Sequence, residues 1–186
     1  MATNLLQLKT YLPQGVYSTV YDVDYQALYD AGKRLIIMDI DNTLIPYDET
    51  HPNSNIVTLF DRLKAMGFAI ALVSNNHLPR VREFSDALGC SYVASARKPF
   101  SKGYRKIAKL FPTLSRESMH AIGDQLMTDV AGANRMGISC TLVRVLKWRS
   151  EKWYTKLNRK IEQIVLKRMD KHYPDIAKKI RAIQES

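Results

Sequence analysis

Cysteine is scarce in this 186-residue chain, which holds only Cys90 and Cys140. Two thiols with no C-x-x-C spacing exclude a disulfide scaffold and a cysteine metal knuckle. Each lies beside an apolar run, as a buried thiol in a reducing compartment does. Long apolar runs are missing as well. No segment approaches the ~18 residues of a spanning helix. The apolar residues near the start are broken up by Asn4, Gln7, Lys9 and Thr10, so no secretory core forms. The expected location is the cytoplasm, with peripheral contact at the inner face of the membrane left open. Internal repeats and low-complexity tracts are absent too. What remains is one ordinary domain with a small appendage.

Charge is plentiful but uneven. The chain carries a formal +10. The segment from Arg144 to Ser186 holds 13 Lys+Arg against 5 Asp+Glu, a net of +8, which leaves +2 for the rest. A basic tail of this kind calls for an anionic partner. It contains an amphipathic stretch from Trp148 to Met169, with Trp153, Leu157, Ile161, Ile164 and Val165 roughly on one face. Pro174 breaks it, and a shorter helix with Ile176, Ile180 and Ile183 follows. The expected division is a domain over 1–147 and a basic helical extension over 148–186. The extension's stripe either packs on the domain or meets a membrane.

Ahead of the tail, short apolar runs alternate with amphipathic stretches. Arg34–Ile40, Phe68–Ser74, Met119–Asp124 and Ile138–Val143 read as strands buried on both faces, with Ser91–Ala94 as a fifth. Between them, Asn53–Met66, Pro79–Leu88, Lys102–Leu110 and Leu126–Met136 read as helices, stopped in turn by Gly67, Gly89 and Gly137 where a glycine follows. This alternation predicts an α/β fold with a doubly wound, mainly parallel sheet. In such sheets the site lies at the carboxyl ends of the strands. The polar residues there are Asp39 with Asp41, Ser74 with Asn75, and Asp124.

The segment Asp39-Ile40-Asp41-Asn42-Thr43-Leu44 carries the strongest chemical signal. Two carboxylates two apart at a strand end can divide labour. One attacks phosphorus as a nucleophile, and the other protonates the leaving alkoxide and then activates water. An Asx turn that caps a helix or merely follows the strand is the plainer reading. Ser74, in L-V-S-N-N, can hold phosphoryl oxygens with its hydroxyl and the next N–H, or it can cap the following helix. Lys98, before Pro99, can neutralise a transferring phosphoryl group, or it can be a solvated loop lysine. In G-D-Q-L-M-T-D, Asp124 at a strand end suits a hard cation such as Mg²⁺, and Asp129 either orients the site or caps a helix. His51 and His77 lie just beyond these motifs and read as loop residues.

The D-x-D-N-T-L, S-N-N, K-P and G-D-x-x-x-x-D elements, in this order over Arg34–Val143, resemble the phosphatases of the haloacid dehalogenase superfamily, subfamily III. The lead-in Leu12-Pro13-Gln14-Gly15-Val16-Tyr17 and the D-I-D-N-T-L-I form are similar to the YqeG-like group, which includes mitochondrial phosphatidylglycerophosphate phosphatases. The resemblance implies that Asp39 is the nucleophile and Asp41 the general acid/base. It implies Mg²⁺ ligation by Asp39, Asp124 and the backbone carbonyl of Asp41. It also implies a phosphoryl site from Thr43, Ser74, Asn75 and Lys98, with Asp129 in support.

Spacing adds an independent expectation. Only 29 residues separate Leu44 from Ser74, and 23 separate Ser74 from Lys98, too few to fold a cap domain over the site. An open crevice admits bulky or surface-bound phosphomonoesters. The leading expectation is therefore a phosphatase acting on phosphatidylglycerophosphate at a membrane surface. A phosphatase of a soluble sugar or nucleotide phosphate is one alternative. The other is a nucleic-acid or ribosome-associated protein using the basic tail, although no RNA-binding motif is visible.

Overall fold

The computed structural model describes residues 8–147 and 153–185. Trp148, and the side chain of Trp153 that the sequence assigns to the tail's apolar stripe, lie outside the described residues. Six strands form one sheet: β1 (Gly15–Tyr17), β2 (Leu35–Met38), β3 (Ala69–Val73), β4 (Ser91–Val93), β5 (Met119–Gly123) and β6 (Ser139–Val143). Their spatial order is β1-β6-β5-β2-β3-β4, and every pairing is parallel. From β2 the chain winds outward through β3 to β4, then returns to β5 on the other side of β2. The order therefore reverses between β2 and β5, where a ligand crevice is expected.

β2 is wholly apolar because both of its faces are covered. Leu35 and Ile37 of β2 point into one apolar cluster, Ile36 and Met38 into the other, and all four are fully buried. Helices α1 (Tyr25–Asp30), α2 (Ser54–Ala65) and α3 (Leu78–Leu88) are fixed by their ends. Asp24 and Asn53 accept the N–H groups of Ala27 (2.9 Å) and Ile56 (3.1 Å) as N-caps. Gly89 ends α3 at φ 56°, a left-handed value that costs glycine little. Helices α4 (Lys102–Leu110) and α5 (Ala131–Asn134) complete the alternating part.

Ahead of the C-terminal extension the structure departs from the sequence expectation in two places. The lead-in forms β1, a sixth strand along the edge of β6, held also by Asn134, whose side chain donates to the carbonyls of Thr10 and Leu12 (2.9 Å each). The stretch expected as one helix over Leu126–Met136 opens instead with a π-helical turn at Leu126–Val130, and only then becomes α5. There the carbonyl of Gln125 accepts from Asp129 N–H (3.0 Å) and Val130 N–H (3.2 Å). A widened turn of this kind often marks a functional site, because it re-aims one side chain.

The C-terminal extension is α6 (Trp153–His172) and α7 (Pro174–Glu185). Leu166 and Met169 of α6, and Ala177 and Ile180 of α7, are fully buried in the same cluster as Leu35 and Ile37. The buried face of α6 is not the stripe read from the sequence. Val165 turns inward, but Leu157, Ile161 and Ile164 stay exposed, while Arg159 and Glu162 are buried. None of the helices among the described residues is long and apolar enough to cross a membrane.

One buried base sits within the sheet. The imidazole of His120 on β5 meets Ser139 Oγ (2.7 Å) and Thr141 Oγ1 (2.9 Å). Burial pulls its pKa from 6.5 down to about 3, with the charge of Lys33 adding to the shift. The unfolded chain therefore takes up a proton below 6.5 that the folded chain refuses until about 3, and the native state loses stability as the pH falls through that window. Urea unfolding should show a pH slope there of up to ~1.4 kcal/mol per unit from this residue, and His120→Gln should flatten it.

Candidate active site

β2 delivers Asp39 to the carboxyl edge of the sheet, where its N–H still donates to the carbonyl of Ile122 on β5 (3.0 Å). The chain then leaves the sheet in a tight loop in which Asn42 takes φ 64°. Asparagine tolerates this left-handed conformation better than most residues. Asn42 N–H closes the loop on the carbonyl of Ile45 (2.7 Å). This geometry separates the two motif acids. Asp39 stays buried, and Asp41 turns toward the end of β3.

Asp41 is held on both oxygens. Arg80 Nε and Nη2 donate to Oδ1 (3.1 and 2.9 Å), while Ser74 Oγ and Asn76 Nδ2 donate to Oδ2 (3.3 Å each). Arg80 also donates to the carbonyl of Tyr47 (3.1 Å) and lies over its ring. Neither Arg80 nor Asn76 is among the site residues expected from sequence. A signal for Arg80 exists: it sits in the first turn of α3, where the helix dipole disfavours a cation unless a carboxylate faces it.

Lys98 is the centre of the arrangement. Its Nζ lies 2.7 Å from Asp39 Oδ1 and 2.6 Å from Asp129 Oδ1, and its side chain is 2% exposed. Asn75 fixes the lysine's backbone, accepting its N–H (2.7 Å) and donating to its carbonyl (3.2 Å). Burial alone would lower the lysine pKa, but the carboxylates of Asp129 and Asp39 reverse this and hold it above the ordinary value. Burial pushes Asp39 well above the ordinary carboxylate range; Lys98 opposes that shift, and Asp129, Asp124 and Asp41 reinforce it. The second oxygen of Asp129 accepts Gln125 N–H (3.1 Å), so the π-helical turn aims this carboxylate at Lys98.

Asp124, one residue past β5, is also fully engaged. Thr43 Oγ1 donates to its Oδ1 (3.0 Å). Arg159 of α6 forms an ion pair with Oδ2 through Nη2, and its Nη1 donates to the backbone carbonyl (2.7 Å). Glu162 Oε2 lies 3.3 Å from the same Nη1, and Glu162 Oε1 accepts Met127 N–H (3.1 Å). Burial raises Asp124 to about 6 against the pull of Arg159, and raises Glu162 to about 7. From sequence, the i,i+3 pair Arg159–Glu162 is indistinguishable from a surface pair on a basic helix.

The buried Asp, Glu, Lys and Arg side chains among the described residues are Asp39, Asp124, Asp129, Glu162, Lys98 and Arg159. All six belong to this cluster. Fully ionised, its four acids and two bases leave a formal −2. One oxygen from each of Asp39, Asp124 and Asp129 falls within 4.8 Å of the others. Hard oxygen donors with an excess of two negative charges fit a divalent cation such as Mg²⁺.

Above the cluster lies a crevice of about 330 Å³, lined by Asp39, Asp41, Ser74, Asn75 and Lys98, with Tyr47 and Met127 at its sides. Thr43, Asp124 and Asp129 sit behind this lining. As the spacing predicts, no domain is inserted over the site among the described residues, yet the crevice is not bare: Thr155 and Asn158 of α6 form part of its wall.

Three comparisons place these observations among known proteins. Residues 19–137 match the family model described as haloacid dehalogenase-like hydrolase. The "Probable phosphatase YqeG" of Bacillus subtilis (strain 168) is 34% identical over 158 residues, covering 85% of this chain and 91% of that protein. Among solved structures, an uncharacterized protein from Listeria monocytogenes serotype 4b is similar in fold, with a TM-score of 0.50 at 16% identity over 68% of this chain and 99% of the other. A cobalt-bound deoxy-D-mannose-octulosonate 8-phosphate phosphatase from Haemophilus influenzae gives 0.48 at 15% identity, over 61% and 69%.

Gly123 shows how tightly the cluster is built, because a Cβ there would fall on the carboxyl group of Asp129. Gly123→Ala should therefore force Asp129 away from Lys98 and destabilise the fold by ~1–3 kcal/mol in denaturant unfolding.

Proposed function

The chain belongs to the haloacid dehalogenase-like hydrolases and is a phosphatase of that type, and from that premise we propose that it hydrolyses phosphomonoesters through an aspartyl-phosphate on Asp39. The observation that carries this reading is the buried Asp39 carboxylate at the floor of the crevice, 2.7 Å from Lys98. Asp39 attacks phosphorus in line, forming the acyl-phosphate bond as the ester P–O bond breaks. Asp41 gives a proton to the departing alkoxide. It then takes a proton from the water whose oxygen attacks the acyl phosphate, releasing inorganic phosphate and the Asp39 carboxylate.

Asp39, Asp124 and the backbone carbonyl of Asp41 would hold Mg²⁺, which supplies positive charge against the phosphoryl oxygens. Ser74, Asn75 and Lys98, with Thr43 behind them, are assigned to the phosphoryl group and its surroundings. Arg80 and Asn76 keep Asp41 oriented, and Asp129 keeps Lys98 in place.

For the substrate we take the headgroup of phosphatidylglycerophosphate at a membrane surface. The crevice has room for a phosphorylated headgroup and not for acyl chains, which would have to remain outside. On the outer side of α6, Leu157, Ile161 and Ile164 are 50%, 37% and 54% exposed, with Lys156, Lys160 and Lys167 also exposed. An apolar stripe beside lysines suits an anionic bilayer.

Phosphate release from phosphatidylglycerophosphate in mixed micelles, with and without Mg²⁺, tests both levels. We expect Mg²⁺-dependent release that Asp39→Asn abolishes. Release from an aryl phosphate alone, still sensitive to Asp39→Asn, would keep the mechanism and discard the lipid. Silence on both substrates would overturn the reading. Arg80→Met should lower kcat by about 10²-fold or more with a smaller change in KM, because Asp41 loses its orientation.

A further inference from the structure

Asp124 is gripped from outside the alternating α/β region. Two nitrogens of the Arg159 guanidinium, Nη2 and Nη1, take two acceptors of this one residue, its Oδ2 and its backbone carbonyl. Thr43 holds the remaining oxygen, Oδ1. Arg159 is itself seated by Glu162, whose other oxygen ties down Met127 N–H in the π-helical turn that carries Asp129. The whole contact is buried: the side chains of Arg159, Asp124 and Glu162 are 8%, 0% and 1% exposed. Burying an arginine and a glutamate in this way is costly unless both are fully paired, and the same helix also docks through Leu166 and Met169. The fork spans side chain and main chain together, so it fixes both the position of Asp124 and the rotation of its carboxylate.

We propose that Arg159 is a positioning residue for Asp124, so that docking of α6 completes the divalent-cation site. Ligating carboxylates depend on the groups that hydrogen-bond them from behind, and loss of such a partner typically weakens metal binding about 10–100-fold. A different role for the same residue would have the opposite sign. If the guanidinium stood in for the cation and had to yield to it, removing Arg159 would tighten metal binding.

The inference rests on the metal reading given above, and titration calorimetry with Mg²⁺ on the full chain separates the two. Wild type should bind Mg²⁺, and Arg159→Met should bind it about 10–100-fold more weakly. Arg159→Lys keeps the charge without the fork and should fall between them, serving also as the second variant if Arg159→Met does not fold. Arg181→Gln removes a pair between α7 and α6 (Arg181 Nη2 to Asp170 Oδ2, 2.7 Å) away from the site and should leave Mg²⁺ affinity unchanged. In turnover assays the defect of the Arg159 variants should be largest at low Mg²⁺ and shrink at saturation.

A folded Arg159 variant with unchanged or tighter Mg²⁺ binding overturns the positioning role. An equal loss in Arg181→Gln overturns it as well, because the effect would then belong to helix packing. Absence of Mg²⁺ binding in the wild type overturns the metal reading itself, and the role of Arg159 with it.

Discussion

Charge taken out of water must be answered by charge, and the Lys98 bridge is where this chain meets that requirement. A single ammonium serves Asp39 from β2 and Asp129 from the turn after β5. Without it, two carboxylates would lie buried against a third, an arrangement that costs several kcal/mol per unpaired ion. Much of the surrounding architecture follows from holding that nitrogen in place. Asn75 fixes its peptide, Gly123 clears space for Asp129, and the widened turn after Gln125 aims the acid. Motifs that lie far apart in the chain thus share one electrostatic constraint.

The same constraint accounts for what could be read from the residues and what could not. The strands β2, β3, β5 and β6 were legible because burial on both faces produces continuous apolar runs, and their polar ends marked the site. Asp39, Asp41, Ser74, Asn75 and Lys98 all line one crevice. Three residues of β1, Gly15–Tyr17, are too few to show a period, and the strand exists because β6 offers an edge. The π-helical turn keeps the apolar spacing of an ordinary helix, so periodicity alone could not expose it. On α6 the deciding residues were polar. A hydrophobic stripe finds the face with most apolar residues, but this helix docks the face that carries Arg159 and Glu162, because Asp124 and Met127 N–H wait there for partners.

Phosphatases without an inserted domain face a trade between access and shelter. The short intervals between motifs leave this crevice open to large substrates, yet Thr155 and Asn158 still give it a wall. That wall comes from the end of the chain rather than from an insertion between motifs. It can vary in sequence without disturbing the spacing of Asp39, Ser74 and Lys98, provided that Arg159 and Glu162 keep their contacts with Asp124 and Met127.

Because α6 contributes part of that wall, the order of synthesis matters. Arg159 follows Asp124 by 35 residues. At ~5–20 residues per second, translation reaches the helix roughly two to seven seconds after the last strand-end acid of the site has been made. Until then the Asp124 carbonyl and Met127 N–H lack the partners that α6 brings. A chain made only as far as Val143 would thus carry every motif in sequence without the Arg159 and Glu162 contacts.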